Sequence, residues 1–295
     1  MKEVLIVGGT GYIGAALYTH LSKHYVVHTV DLEWFGNYTN ENNLRVNYSD
    51  LSEDFFGHYD VVILLAGNSS VPMCLNNMAD TFKNNLVNFV DLLDKLKNQK
   101  FIYASSSSIY GDTGEVPAPE DWNQFKPKNY YDLTKQEIDY YAELSKLEYY
   151  GLRFGTVNGP SPNLRVDIMI NKMYHIAKTM GRIDLFNSHI SRPILGINDL
   201  CRAVEAIIKS DVDNRGVYNL ASFNGNVGGI VEGVTKCVDT EVIDRGNTPA
   251  YNFSIDTSKF QNTYDFEFKE SIETIVANLD KEYDNCRKSV RERRF

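Results

Sequence analysis

The segment GGTGYIG, Gly8 to Gly14, joins two stretches of different periodicity, and that junction constrains the fold more than any other part of the chain. Before it, MKEVLIV is an apolar run of strand character; after it, AALYTHLSKH repeats apolar residues at helical spacing through Leu21. The helix N-terminus offers free N–H groups and a partial positive charge, so a phosphate belongs there. Gly8 permits a tight turn, Gly11 the close backbone approach of a pyrophosphate, and Gly14 the close packing of helix on strand. The candidate contacts in the turn are Gly8, Gly11, Tyr12, Ile13 and Gly14.

The next apolar, β-branched run, Tyr25 to Val30, ends at Asp31, close to where a dinucleotide fold places its ribose-binding acid. A carboxylate there accepts hydrogen bonds from both ribose hydroxyls and repels a 2′-phosphate, which favours NAD over NADP. An ordinary strand-end aspartate has the same appearance in sequence.

Further along, strands near 3–8, 25–30, 44–47, 60–66, 100–105 and 148–154 alternate with helices near 11–23, 76–97 and 128–147. This alternation predicts an α/β chain with a doubly wound parallel sheet. After Gly159 the pattern changes to a GPSPN loop, helices at 166–180 and 199–209, and short strands and turns. We therefore read residues 1–158 as the dinucleotide-binding domain and 159–295 as mainly a smaller substrate-binding region. The net charge of −9 speaks against a nucleic-acid partner. The basic RKSVRERRF end reads as a solvated tail. Four scattered cysteines without CxxC spacing, and six histidines without a ligand pattern, indicate neither a disulfide framework nor a metal. No long apolar stretch precedes or interrupts the pattern, so the expectation is a soluble, cytoplasmic protein without a membrane partner.

Tyr131 and Lys135, in YDLTK, fall four residues apart on the amphipathic segment 128–147 and therefore share a helix face. In a chain with 19 tyrosines such a pair arises by chance, but here its position gives it meaning. An ammonium one turn away lowers the phenol from its usual pKa of about 10, making Tyr131 a usable acid and base. SSSSIYG, Ser105 to Gly111, follows the short strand FIYA, which places its hydroxyls at the C-terminal edge of a parallel sheet, where α/β ligands bind. Taken alone, a serine run reads as loop.

With these motifs in this order, the chain resembles the extended short-chain dehydrogenase/reductase family of nucleotide-sugar epimerases, dehydratases and reductases, the UDP-glucose 4-epimerase type in particular. The resemblance covers nearly the whole length. It includes LLAGNSSV after the fourth strand, NNL at Asn84 to Leu86, LRFGTVNGP after the sixth strand and RPILGINDL at Arg192 to Leu200. It implies Ser106, Tyr131 and Lys135 as the catalytic set. It further implies cofactor contacts from Asp50, Leu51, Leu65, Ala66, Gly67 and Asn85, and substrate contacts from Ser70, Ser106, Thr156, Asn171 and Arg192, the arginine on a diphosphate. It also implies that a segment near 190–220, with RGVYNL as a strand, returns to the first domain, and that the helices at 76–97 and 128–147 pair in a homodimer.

The function so implied is NAD-dependent epimerisation of a nucleotide-diphosphate sugar at C4, through a transient 4-keto intermediate with Tyr131 as acid and base, in polysaccharide precursor supply. Dehydratases of the family carry an Asp-Glu pair where this chain has Ser107 and Ser108, and hydroxyls are poor general acids or bases. A 4-keto-sugar reductase and a non-catalytic dinucleotide sensor stand as alternatives. Gly155 and Thr156 depart from the usual RYFN of 4-epimerases, which leaves the sugar and the nucleotide open.

Overall fold

The computed structural model describes residues 1–39, 42–75, 77–123 and 126–292, without the side chains of 287–292. Asn76, where the sequence begins one expected helix, and 293–295 of the basic tail lie outside these.

Six strands form the central sheet: β1 Glu3–Val7, β2 Val26–Val30, β3 Val61–Leu64, β4 Lys100–Ser106, β5 Glu148–Phe154 and β6 Gly216–Leu220. Their order is β6-β5-β4-β3-β1-β2, with all neighbours parallel. Burial of both faces accounts for the unbroken apolar runs VLIV in β1 and VVIL in β3. Val4 and Ile6 of β1 point into one core cluster while Leu5 and Val7 point into the other. The order reverses at β1, which pairs on one side with β2 and on the other with β3. A ligand crevice opens above the C-terminal ends at such a reversal.

The strand expected at 44–47 is reduced to a single parallel bridge between Val30 and Leu44. Asn43 spends its side chain on the Asp31 carbonyl and Glu33, and a turn bond from Val46 N to the Leu44 carbonyl carries the chain away from the sheet edge. The helix expected at 76–97 runs over 78–95 as Met78–Phe82, a π-helical turn Lys83–Val87 and Asn88–Lys95, and a separate short helix, Val71–Leu75, precedes it. By contrast, Tyr130–Leu144 is continuous and is capped by Asn129, whose side chain accepts from the Asp132 N–H.

RGVYNL contributes β6 to the sheet, as expected. Ser191–Gly196 does not join it; this strand lies between Thr156–Asn158 and Phe223–Asn226 in a separate three-stranded sheet. One core cluster runs from Val4 and Ile6 through Ile194 and Leu200 to Ile230 and Ile275, so the hydrophobic core crosses residue 158 without a break. Among the described residues no helix is long and apolar enough to cross a membrane.

Candidate active site

The glycine turn lies at the end of β1, facing the reversal of strand order. Gly8 adopts φ +88°, and a Cβ there would lie 2.6 Å from the Ala66 nitrogen. A Cβ on Gly14 would lie 2.1 Å from the Gly8 carbonyl oxygen, so only glycine lets the helix Tyr12–Leu21 start this close to the strand. Gly11 is the N-cap of that helix and contributes no side-chain cap, which leaves the first N–H groups without a side-chain partner. A narrow, uncapped, electropositive turn of this kind fits the pyrophosphate of a dinucleotide. The Tyr12 hydroxyl donates to the Gly159 carbonyl at 2.9 Å.

Asp31 follows β2 directly. One carboxylate oxygen accepts from Thr10 N in the glycine turn at 3.1 Å, and the other from Glu33 N at 2.7 Å. The acid is therefore held beside the phosphate cradle. Asp50 and Leu51 lie at the end of the short Tyr48–Asp50 turn, and Leu65, Ala66 and Gly67 continue β3 beside Gly8. Asn85, in the π-helical turn, accepts from Asn68 N at 2.8 Å and donates to the Asn68 carbonyl and to Thr134. Its amide thus ties the loop after β3 to the helix that carries Tyr131.

Each of the four serines after Ala104 has a different partner. Ser105 donates to Asp139 at 3.0 Å, Ser107 to the Phe154 carbonyl at 2.7 Å and Ser108 to Asp132, while Ser106 bonds Ser108 at 2.8 Å. Behind them, Asp139 also accepts from Tyr103 and from Arg153, whose guanidinium in turn reaches the Tyr110 hydroxyl at 2.7 Å. This buried network fixes the end of β4.

Lys135 lies on the Tyr131 face of the helix, as the four-residue spacing requires, yet its ammonium donates to the Ala104 carbonyl at 2.5 Å and stands 6.0 Å from the centre of the Tyr131 ring. The expected lowering of the phenol is not what the structure shows. Burial pushes Tyr131 up to about 12, against the opposing hydrogen bond from Ser106. Burial also pulls Lys135 down to about 8. Desolvation disfavours both charged forms and outweighs the charge of an ammonium that is bonded elsewhere.

On the substrate side, Ser70 caps the short helix Val71–Leu75 by accepting from Met73 N at 3.5 Å. Thr156 begins the strand that pairs with Ser191–Gly196, and Gly155 before it leaves no room for a larger residue, since a Cβ would lie 2.8 Å from the Pro193 carbonyl. Arg192 stacks over Phe253 at 5.4 Å and donates to the Ser191 and Tyr251 carbonyls; no carboxylate lies within ion-pair distance of it among the described residues. Asn171 has a different place from the one its motif implies. It is buried, its oxygen accepts from Gly159 N at 2.8 Å, and its NH2 group donates to Tyr12, Gly159 and Arg165. With its amide fully engaged, Asn171 braces the loop that presents Arg165.

Sequence reasoning passed over Arg165, Asp132 and Asp139. Arg165 pairs with Asp167, donates to Ser69 at 3.3 Å, and stands within electrostatic reach of Tyr131. Asp132 and Asp139 are seven residues apart, two turns on the inward face of the Tyr131 helix, and that spacing of acids in an amphipathic segment is the signal that would have found them.

Comparison with known proteins agrees with this geometry. Protein CapI of Staphylococcus aureus is 29% identical over 233 residues, spanning 70% of this chain and 69% of that protein. The UDP-N-acetylglucosamine 4-epimerase of Methanobrevibacter ruminantium, solved with UDP-N-acetylmuramic acid, superposes with a TM-score of 0.84 at 23% identity, over 95% of this chain and 99% of that one. The UDP-glucuronic acid 4-epimerase of Bacillus cereus, solved with UDP-glucuronic acid and NAD, gives 0.81 at 21% identity, over 97% and 99%. At these identities the two solved structures establish the fold. The model of the NAD dependent epimerase/dehydratase family matches residues 4–221, most of the chain. This protein is therefore an NAD-dependent enzyme and a member of the NAD dependent epimerase/dehydratase family.

Proposed function

We propose that the chain epimerises a nucleotide-diphosphate sugar at C4 by oxidation to a 4-keto sugar and reduction on the opposite face. The observation that carries this reading is the convergence of Ser106, Tyr131 and Lys135 at the C-terminal end of β4, beside the glycine cradle. NAD would be held by the glycine turn Gly8 to Gly14 and by Asp31, and would supply a reversible hydride acceptor and, in its oxidised form, a positive ring charge. Tyr131, as phenolate, takes the proton of the sugar hydroxyl and later gives it back. Ser106 holds the same oxygen by a hydrogen bond. Lys135 contributes a cation on the Tyr131 face, which favours the phenolate. Arg192, free of a carboxylate partner, grips the diphosphate, so the sugar can turn over while the nucleotide stays anchored.

Quaternary structure enters the same reading. Tyr130, Leu133, Tyr140, Tyr141 and Leu144 form an exposed stripe along Tyr130–Leu144, which packs on the π-helical turn where Val87 is also exposed. A stripe of this width suits the pairing of these helices with those of a second copy.

The test is incubation of the NAD-loaded protein with UDP-glucuronic acid, UDP-glucose and UDP-N-acetylglucosamine, with products resolved by chromatography. A 4-epimer at equilibrium supports the reading; no epimer from any of the three, with NADPH consumed when a nucleotide 4-keto sugar is supplied instead, replaces it by the reductase reading.

A further inference from the structure

The GPSPN loop that starts at Gly159 has no part in the mechanism above, yet it is sewn to the glycine turn at three points. The Tyr12 hydroxyl donates to the Gly159 carbonyl at 2.9 Å, Ser161 Oγ donates to the Tyr12 carbonyl at 2.6 Å, and Asn163 Nδ2 donates to the Thr10 carbonyl at 2.8 Å. Asn163 is 0% exposed, and its NH2 group also reaches the Phe35 and Gly36 carbonyls at 3.3 and 3.4 Å. The group has two protons to give, so the short bond takes one and the two longer contacts share the other. Asn171 holds the same loop from behind, through Gly159 N and the Arg165 carbonyl.

Thr10 stands between Gly9 and Gly11, and a glycine on either side leaves a backbone little stiffness of its own. Both of its peptide groups are nevertheless held by side chains. Asp31 accepts from Thr10 N at 3.1 Å, and Asn163 donates to Thr10 O. The Thr10 carbonyl and the Gly11 N–H belong to one planar trans peptide, so fixing the carbonyl fixes the direction of that N–H. Gly11 N makes a 3.3 Å bond to the Gly8 carbonyl, longer than the usual range, and this bond holds the plane weakly. Phe35 and Gly36 belong to the segment that follows Asp31. A single buried amide therefore joins the phosphate turn to the stretch beyond the ribose acid.

We infer that Asn163 is a positioning residue for the dinucleotide: acting through Thr10, it holds the glycine turn in the shape that receives the pyrophosphate before the cofactor arrives. The turn is then ordered on folding rather than on binding. Leaving one residue's backbone to be ordered at the moment of binding weakens affinity by about tenfold. Since the brace comes from beyond Gly159, residues 1–158 do not make a finished cradle by themselves.

The inference rests on the glycine turn as the dinucleotide cradle and is independent of which sugar is turned over. Its test compares Asn163→Ala with the wild-type full chain in two measurements: NAD binding by titration calorimetry, and backbone amide exchange read by mass spectrometry without nucleotide. NAD binding is expected to weaken by about tenfold or more. Exchange over 8–13 and 33–37 is expected to quicken while that of β3 and of Asn88–Lys95 stays as it was. Asn163→Asp keeps the size of the side chain but removes its donors, and is expected to lose at least as much affinity. Wild-type affinity for NAD in either folded variant overturns the proposal. So does an even rise of exchange over the whole chain, which makes Asn163 a residue of general stability. If Asn163→Ala does not fold, Asn163→Ser decides on the same two readouts. A wild type that takes up no NAD removes the cradle reading; quicker exchange over 8–13 in the variant then still supports the brace, and unchanged exchange there overturns it.

Discussion

Asp139 and Arg153 meet as a buried ion pair, Nε to Oδ2 at 2.8 Å, beneath the serines that end β4. The pair is completed on one side by Tyr103 and Ser105 and on the other by Tyr110. Removing one partner leaves the other charge buried and uncompensated, which costs about 3–5 kcal/mol. Asp139→Ala is therefore expected to lower the urea midpoint by that equivalent, far more than Asp→Ala at an exposed position such as Asp211.

On the proposed reading, Tyr131→Phe removes the proton carrier and leaves the glycine turn untouched. Turnover is expected to fall by roughly 10²–10⁴-fold while NAD stays bound after purification. Loss of NAD together with activity would point instead to a disturbed fold around the helix start.

Gly14→Ala places a methyl group against the backbone of Gly8, which cannot swing aside as a side chain can. We expect about 1–3 kcal/mol of destabilisation and a protein that no longer retains its dinucleotide, read by thermal melting with and without added NAD.

Asp31→Asn keeps one acceptor oxygen, for Thr10 N or Glu33 N but not both, while removing the charge that repels a 2′-phosphate. The preference for NAD over NADP is expected to shrink tenfold or more, about 1.4 kcal/mol, in competitive binding.

Lys135 is held near 8 by burial, against its ordinary 10.5. Unfolded, it binds a proton that the folded protein holds weakly. Between those two values the unfolded chain therefore carries more protons, and this group's contribution makes stability rise with pH across that window. Lys135→Met is expected to be inactive, yet more stable than the wild type below pH 8 by on the order of 1 kcal/mol, with the difference vanishing towards pH 10.5. Denaturant curves at pH 7 and 10 would show it.

Much of this was legible in the sequence. The parallel sheet, the glycine turn and the Tyr131–Lys135 face follow from short local patterns whose geometry leaves few choices. The strand expected at 44–47 rests on Leu44 and Val46 alternating about Arg45, whereas the chain's path there is decided by Asn43, bonded backwards to Asp31 and Glu33. The helix expected at 76–97 is present over 78–95, but nothing in its residue pattern marks the π-helical turn Lys83–Val87. Asn171 belongs to a motif, but a motif does not say whether an amide faces a ligand or closes a loop. The pKa of Tyr131 was hidden for a similar reason: spacing brings Lys135 to the right face, but the Ala104 carbonyl, thirty-one residues away in the chain, decides where its ammonium goes.

The serine run carries a consequence for how this protein can vary. Deleting any one of Ser105 to Ser108 produces one and the same amino-acid string, since the four letters are interchangeable. Their partners, however, lie on a helix, on a neighbouring strand and within the run itself, and a shift of one residue at the end of a strand turns each side chain to the opposite face. A tract that looks redundant is in effect a reading frame, tolerant of spelling and intolerant of length.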